Sequence, residues 1–523
     1  MCVNRGGVVL EARLELSIDP NQLPSLQAAL ERAGAAPGDE PSLITSIYYD
    51  TPGRKLHDQG LSLRVEQHDT RRVQVLRRRA SIGDSRQWRD VISSEGPDPL
   101  APETGARLRG LIEDELRPLC KTQIRRTCWR LGAEPSVETK ATLDEGEILA
   151  TVGDATEPVC DLDLEMTEGD PAVLFDAALQ LLDAAPLRIT TRDHAERARR
   201  LLGGAIEATT AEPLSLVPSM TVEAVLQITC RACVWHLVSN ERAALAGNAE
   251  AIHQMRVAVR RLRSVLAAVR SMLPAKQYQW VKDELRWLGG SLGPARNWDV
   301  FAMDLLAPVR SVLHTGPDLG NLVEMATQRQ QAAYTAARST IASRRYSEAI
   351  LKTVRWFETH RWRDQPVSEH SAPLFSTIAE IAPPIIERRW RQAMRRSKHF
   401  AGSSLDERHR LRIALKKLRY TIELLESLFE AASVKALVKR VKGLQEGLGH
   451  LNDVGTAQRL ITELALPAEH DISDVGVAAG VVIGWHLRDL TNLEAKLSED
   501  VRRFKKAKPF WRPMIFAAST STP

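Results

Sequence analysis

Aromatic residues make up only 5% of this 523-residue chain, and cysteine occurs six times. The first shortage leaves few platforms on which bases could stack, which argues against a single-stranded nucleic-acid groove. No motif that reads DNA or RNA appears either. The cysteines (Cys2, Cys120, Cys128, Cys160, Cys230, Cys233) show no framework spacing, which fits a reducing cytoplasm better than a disulfide scaffold. Cys230 and Cys233 form a CxxC, but inside a helical pattern and without a second pair, so they read as two small helix residues. No run of 18 apolar residues occurs, so no membrane span is expected. The N-terminal MCVNRGGVVLEARLEL alternates like a strand and lacks an apolar core, so a secretory leader is not expected.

What is present is ordinary for a globular protein: 43% hydrophobic and 26% charged residues, in a chain long enough for at least two domains. The net charge of +5 hides an asymmetry. Residues 1–212 hold 26 Lys+Arg against 36 Asp+Glu, and residues 213–523 hold 45 against 30. A basic half joined to an acidic half points to an anionic partner for the basic one.

The acidic half is strand-rich. VVLEARLEL, LSLRVEQ, RRVQVLRRR, QWRDVIS, EILATVG and EPVCDLDLEM alternate or carry strand formers, and helical stretches interrupt them at roughly 21–33, 104–118, 170–184 and 193–203. The pattern predicts an antiparallel sheet or barrel with helices outside, over residues 1–205. Residues 206–220 (IEATTAEPLSLVPSM) lose periodicity and read as a linker. From 221 to 513 nearly everything has helical period, broken near the middle at Pro366 and Pro383-Pro384, with repeats at about 221–365 and 372–513. The tail 514–523 reads as disordered.

The basic half repeats itself. His253, Arg256, Arg260 and Arg263 in HQMRVAVRRLR recur as His409, Arg412, Lys416 and Arg419 in HRLRIALKKLR, at the same offsets of 0, 3, 7 and 10 and 156 residues further on. On an α-helix these offsets share a face. An apolar stripe interleaves with each copy: Ile252, Met255, Val259 and Leu262, then Leu411, Leu415, Leu418 and Ile422. Acidic i,i+4 partners are expected to be missing from the stripes, unlike an ordinary solvated face. Lys282, Arg286 and Arg296 flank the first Leu-Gly turn (Leu292-Gly293), and Lys439 and Lys442 precede the second (Leu448-Gly449). Arginine forks suit phosphate oxygens, and lysine adds mobile point charges. The expected partner is a polyanion.

The succession HxxRVAxRRLR, LGxxRNxDV, HxxRIALKKLRY, LGxLNDV resembles the CHAD domain, the conserved-histidine α-helical domain. The resemblance implies two four-helix bundles related by a pseudo-twofold, with a basic groove between them that binds inorganic polyphosphate, and an association with polyphosphate granules. It carries that role to His253, Arg256, Arg260, Arg263, His409, Arg412, Lys416 and Arg419, with Arg296 in a positioning or binding role. Arg296-Asn297 stands where the family has Arg-Asp.

Residues 8–203 resemble the CYTH domain, the fold of triphosphate tunnel metalloenzymes, through LEARLEL, IYYDTPGRKLHDQGLSLRVE, RRVQVLRRRAS, TLDEGEI, EPVCDLDLEM and RDHAERARRLL. The resemblance implies eight antiparallel strands closing a tunnel, acidic residues holding Mg²⁺ or Mn²⁺, and basic residues holding a triphosphate. The tunnel signature departs from the family. Glu11, Arg13 and Glu15 stand in place of ExExK, Glu66 follows Arg64 where an arginine is usual, and Arg78 replaces a lysine. Trp88 and Lys140 align with glutamates, and His194 with a lysine. Arg126, Asp144, Asp161, Asp163 and Glu165 remain, the last three as possible metal ligands. Arg13 and Lys140 are expected to pair with Glu15 and Glu66, turning a catalytic cavity into a salt-bridged core. The implied function is polyphosphate binding without a required cofactor, next to a degenerate tunnel. The alternative is a Mg- or Mn-dependent triphosphatase or polyphosphatase to which the helical half delivers substrate.

Overall fold

The computed structural model describes residues 12–35, 40–68, 71–78, 86–109, 111, 115–131, 139–151, 154–166, 169–190, 194–201, 206–313, 319–465 and 472–512. Glu11 and the tail 514–523 lie outside them. The chain forms two compact units that do not follow it in a single cut. Residues 238–248 and 340–361 join the N-terminal 209 residues, and the remainder forms the second unit.

The first unit is built on antiparallel strands: β1 (Ala12–Ser17), β2 (Gly34–Ala35), β3 (Ser42–Asp50), β4 (Leu61–His68), β5 (Arg71–Arg78), β6 (Arg86–Ile92), β7 (Arg117–Leu131), β8 (Thr139–Ala150), β9 (Thr156–Met166) and β10 (Arg188–Ile189). Their order is β10-β1-β9-β8-β7-β3-β4-β5-β6, with β2 on β7. Among the described residues the backbone ladder does not close on itself. Side chains bridge the gap instead: Arg77 on β5 donates through Nη2 to both oxygens of Glu15 on β1, at 2.8 and 2.6 Å. The period of two separates the faces. On β9, Leu162 and Leu164 are fully buried on one face, while Asp161, Asp163 and Glu165 point to the other.

The strand reading omits β3 and β7, and the helix expected over 104–118 spans only Thr104–Leu108, because Arg117 already belongs to the 15-residue β7. The buried side of β7 is itself partly polar, with Thr122 and Arg126 in line with Cys120 and Ile124, and this hides the strand's alternation. Helix His194–Leu201 covers this sheet, its Ala195 and Ala198 packing with Tyr48, Cys120, Ile124, Ile148 and Val159. The later segments Glu241–Leu245 and Arg344–Glu358 complete the unit. Arg355 binds Asp176 at 2.7 Å, and the Tyr346 hydroxyl donates to buried Glu241 at 2.6 Å.

The second unit is helical. Its principal helices are Val222–Val238, Ala249–Ala268, Ala275–Ser291, Gly293–Asp299, Gly320–Ile341, Ile378–Ser397, Leu405–Leu425, Ala431–Ala465 and Ile472–Lys505. Both apolar stripes are core: Ile252, Met255, Val259, Leu262, Leu411, Leu415, Leu418 and Ile422 are each at most 3% exposed. Burying each such side chain contributes about 1.5–3 kcal/mol. Ser404 and Glu407 form a reciprocal capping box that starts the second basic helix. Pro383-Pro384 does not break the chain as expected. The pair sits inside helix Ile378–Ser397, within its first two turns, where little intrahelical hydrogen bonding precedes it. Cys230 and Cys233 are buried on helix Val222–Val238, and burial pushes the Cys233 thiol up to about 11. Among the described residues no helix is long and apolar enough to cross a membrane.

Two candidate anion sites

The two basic helices, Ala249–Ala268 and Leu405–Leu425, bring their cationic faces to one cavity of about 260 Å³ in the helical unit. The apolar stripe fixes each helix against the core, so the cationic stripe has one direction left. Arg256, Arg260, Arg296, Arg412 and Lys416 line the cavity with His253, and Asp453 is the one carboxylate among the lining residues. The Leu-Gly turns shape it. Arg256 donates to the Gly289 carbonyl at 3.2 Å, and a Cβ on Gly293 would stand 3.0 Å from Arg256 Nη1. A π-helical turn, Val300–Leu306, forms part of the wall, a feature frequent at functional sites.

The electrostatics are those of uncompensated positive charge. Burial, with Arg412 and Arg260 alongside, pulls Lys416 down to about 7 against the opposing pull of Asp453. Burial, Arg260 and Arg296 together lower Arg256 to about 10. Burial and the neighbouring arginines also depress His253, so without a ligand the histidine is driven towards its neutral form. Nδ1 of His253 and Nε of Arg260 and Arg412 are buried without a hydrogen-bond partner. Buried polar groups are rarely left this way.

The structure gathers six of the thirteen helical candidates here and leaves seven outside. Arg263 is exposed beyond the cavity. His409 is exposed, with Nδ1 2.9 Å from Asn452 Oδ1. Arg419 stacks over Tyr420, with its guanidinium 4.9 Å from the ring centroid, and pairs with Glu423 at 3.4 Å. That i,i+4 pair corrects the expectation that such partners are missing from the stripes. Lys282 and Arg286 hold Gln279 and Asp283 on their own helix, at 3.2 and 2.5 Å. Lys439 and Lys442 are exposed on helix Ala431–Ala465. Asn297, Asn452 and Asp453 line the cavity without having been singled out. Their signal was the pair of Leu-Gly motifs, in which Arg296-Asn297 and Asn452-Asp453 are equivalent under the 156-residue repeat.

A second cavity, of about 450 Å³, runs inside the curled sheet. Arg13 stands among three carboxylates. Its Nε donates to Asp163 at 3.0 Å and lies 3.3 Å from Glu15, its Nη1 is 3.1 Å from Glu165, and its Nη2 also contacts Asp163. Arg64 binds Glu66 at 2.8 Å, and Arg126 binds both oxygens of Asp144 at 2.7 and 2.8 Å. Burial would raise Glu66, but Arg64 and His68 hold it well below the usual carboxylate range. Asp161 takes a different partner: His194 Nε2 is 3.0 Å from its carboxylate, while His194 Nδ1 is 3.1 Å from the Tyr48 hydroxyl.

Three sequence assignments in the tunnel are corrected. On β5, Arg77 faces the cavity while Arg78 is exposed at the strand end. On β6, Gln87 and Arg89 face it, whereas Trp88 packs against the cluster of Leu56, Leu63, Leu76 and Leu108. Both errors are one-residue slips, and in a strand one residue changes the face. Glu66 takes Arg64 and His68 rather than Lys140.

The resemblance implies a divalent metal in this tunnel, and the donor set does not fit one. The guanidinium of Arg13 occupies the point on which Glu15, Asp163 and Glu165 converge, and Asp161 is turned to His194 and Arg197. Among the described residues no group of three His, Cys, Asp or Glu side chains could hold a metal ion.

Residues 18–198 match the CYTH domain family, and residues 229–462 match the CHAD domain family. The chain carries a CYTH domain followed by a CHAD domain. Two uncharacterized proteins of Mycobacterium tuberculosis are each 27% identical to it over 488 residues, spanning 85% of this chain and 87% of theirs. The inorganic triphosphatase of Haemophilus influenzae is 29% identical over 139 residues, 25% of this chain and 38% of that one. The crystal structure of the CHAD domain from the plant Ricinus communis is 27% identical, covering 57% of this chain and 96% of that one, with a TM-score of 0.49. The CYTH domain thus contains the curled sheet and its tunnel, and the CHAD domain contains the basic cavity.

Proposed function

We propose that the protein binds inorganic polyphosphate in the basic cavity of its CHAD domain, and that its CYTH domain is catalytically degenerate. The carrying observation is the charge imbalance of that cavity: four arginines, Lys416 and His253 around a single carboxylate, Asp453. Such a cluster is unfavourable by itself and is relieved by an anion with several negative centres. Besides His253, the cavity wall supplies one aromatic ring, Phe301, which is fully buried and so offers a base no face to stack on. Binding requires no metal or other cofactor. Association with polyphosphate granules follows from the same partner.

Equilibrium titration of polyphosphate into the full chain at several pH values tests this reading. Lys416 lies at about 7 in the free protein. Phosphate oxygens favour its charged form and raise that value, so binding takes up a proton. Affinity should be highest below about pH 7 and should fall as pH rises above it, by up to about tenfold per unit. Lys416→Met should flatten this dependence. A pH profile identical in both proteins would remove Lys416 from the site.

The match to the triphosphatase of Haemophilus influenzae favours a second reading, a Mg- or Mn-dependent triphosphatase supplied by the CHAD domain. Arg13 among its carboxylates argues against it. Tripolyphosphate incubated with the protein and either metal should release no phosphate above background. Sustained metal-dependent release would establish the enzyme.

A further inference from the structure

Lys416 brings an amine without a partner into the basic cavity. It lines that space on helix Leu405–Leu425, with Arg256, Arg260, Arg296 and Arg412 around it. Among the described residues it makes no hydrogen bond and no ion pair. Lys282 and Lys352, by contrast, hold Gln279 and Glu348 at 3.2 and 2.5 Å. Lys417 is a built-in comparison. It is half-buried, and burial, Arg389 and Arg263 depress it too. One residue turns an α-helix by about 100°, so Lys417 points away and is not part of the cavity lining. A lysine in such a place is a nucleophile as well as a charge. With Lys416 at about 7, roughly half of its amines are neutral at pH 7, against about a few in ten thousand for an ordinary lysine.

We propose that Lys416 is an acylation site for acyl phosphates, whose phosphate the surrounding arginines hold while the lysine amine attacks the carbonyl carbon. The inference rests on reading the CHAD cavity as an anion site, and it adds a covalent modification to that site. Arginine forks bind phosphate oxygens in pairs, and a donor held beside an amine reacts as if it were highly concentrated. The negative charge that develops on the carbonyl oxygen arises among guanidinium groups, which stabilise it. The cavity of about 260 Å³ admits a donor with a short acyl chain. In the step, the bond from Nζ to the carbonyl carbon forms. The carbon–oxygen bond to phosphate breaks, and its electron pair leaves with the phosphate. The amine proton passes to that phosphate, so the products are a neutral amide and orthophosphate, and nothing is oxidised or reduced. A dianionic donor offsets only part of the charge of four arginines, so the amine keeps a share of its neutral form. Long polyphosphate brings more negative charge, favours the protonated amine and covers it, so the bound polymer protects Lys416. Acylation in turn removes one of the five Arg and Lys charges of the cavity, so modification and polymer oppose each other.

The test incubates the full wild-type chain at neutral pH with acetyl phosphate or with N-hydroxysuccinimidyl acetate, an acetyl donor that has no phosphate. Site-resolved mass spectrometry follows acetylation of Lys416 and Lys417 with time. With acetyl phosphate, Lys416 should react at least about tenfold faster than Lys417. With the donor that lacks phosphate that ratio should fall at least about fivefold, because the arginines have nothing to hold. Equal rates at the two lysines with acetyl phosphate, or the same ratio with both donors, would each overturn the inference. A third incubation adds long-chain polyphosphate to the acetyl phosphate reaction and separates the two readings. Slower acetylation of Lys416 is expected. If Lys416 is selectively acetylated and polyphosphate does not slow it, the acylation site stands and the polyphosphate reading fails. If polyphosphate binds the chain but Lys416 is not selectively acetylated, the acylation site alone fails.

Discussion

Reversing Arg256 and Arg412 to glutamate should abolish polyphosphate binding while leaving the fold intact. The two residues are repeat equivalents, both line the CHAD cavity, and both lie off the apolar stripes. Each contributes a charge-assisted bond, and such bonds contribute roughly 1.5–3 kcal/mol each. Losing both costs about 3–6 kcal/mol, a hundredfold to ten-thousandfold in affinity, before counting repulsion from the new carboxylates. Stability should hold or rise, because both changes relieve repulsion within a cluster whose arginines already depress one another. Titration calorimetry beside a thermal melt checks both halves. Full binding by a folded double variant would place the anion elsewhere.

Replacing Leu418 with aspartate should have the opposite outcome and unfold the CHAD domain. Leu418 is fully buried between two cationic positions of the same helix, Lys416 and Arg419. The substitution leaves a cavity, costing about 2–5 kcal/mol, and adds a buried carboxylate that no neighbour on the core face is placed to neutralise. The total is comparable with the 5–15 kcal/mol that holds a typical domain together. Loss of the cooperative helical melt in circular dichroism is expected. A melt within a few degrees of the wild type would show that this face of the helix is not core.

The contrast between these variants reflects how much of the helical half is legible in sequence. The apolar stripes could be read residue by residue, because helix packing buries every member of such a stripe. The cationic stripes could be read only as a direction. Ten residues of helix advance about 15 Å, whereas the cavity lining runs only from His253 to Arg260 on the first basic helix and from Arg412 to Lys416 on the second. Arg263 and Arg419, last in each stripe, therefore fall past its end. His409 departs for a different reason. The residue equivalent to Arg296 in the second repeat is Asn452, and its amide oxygen holds the His409 ring at the surface. Sequence duplication does not preserve that contact, since a cation replaces an amide.

In the strand half the fold was more legible than the site. The alternation of β4, β5 and β9 shows in the sequence, but which register number faces inward depends on the exact strand pairing. Arg77 pairs with Gln87 and Leu76 with Trp88. That register sends Arg77, Gln87 and Arg89 into the tunnel and Trp88 to the outer core. The ion pairs of Arg13 and Glu66 were half readable: Arg13 meets Glu15 as expected, whereas Glu66 takes Arg64 and His68 in place of Lys140. Both carry a charge of unexpected sign, but which acid each cation meets depends on β1 lying beside β9, with Arg13 opposite Glu165 and Glu15 opposite Asp163.

The central claim, that the CHAD cavity selects polyphosphate, is tested most directly by titrating long-chain polyphosphate into the full protein across a salt series, with an RNA of equal charge as competitor. Tight binding that weakens steeply with salt, as counterion release requires, and that RNA does not displace is the predicted result. Equal displacement by RNA, or no binding at low salt, would contradict it and reduce the two stripes to general basic surface.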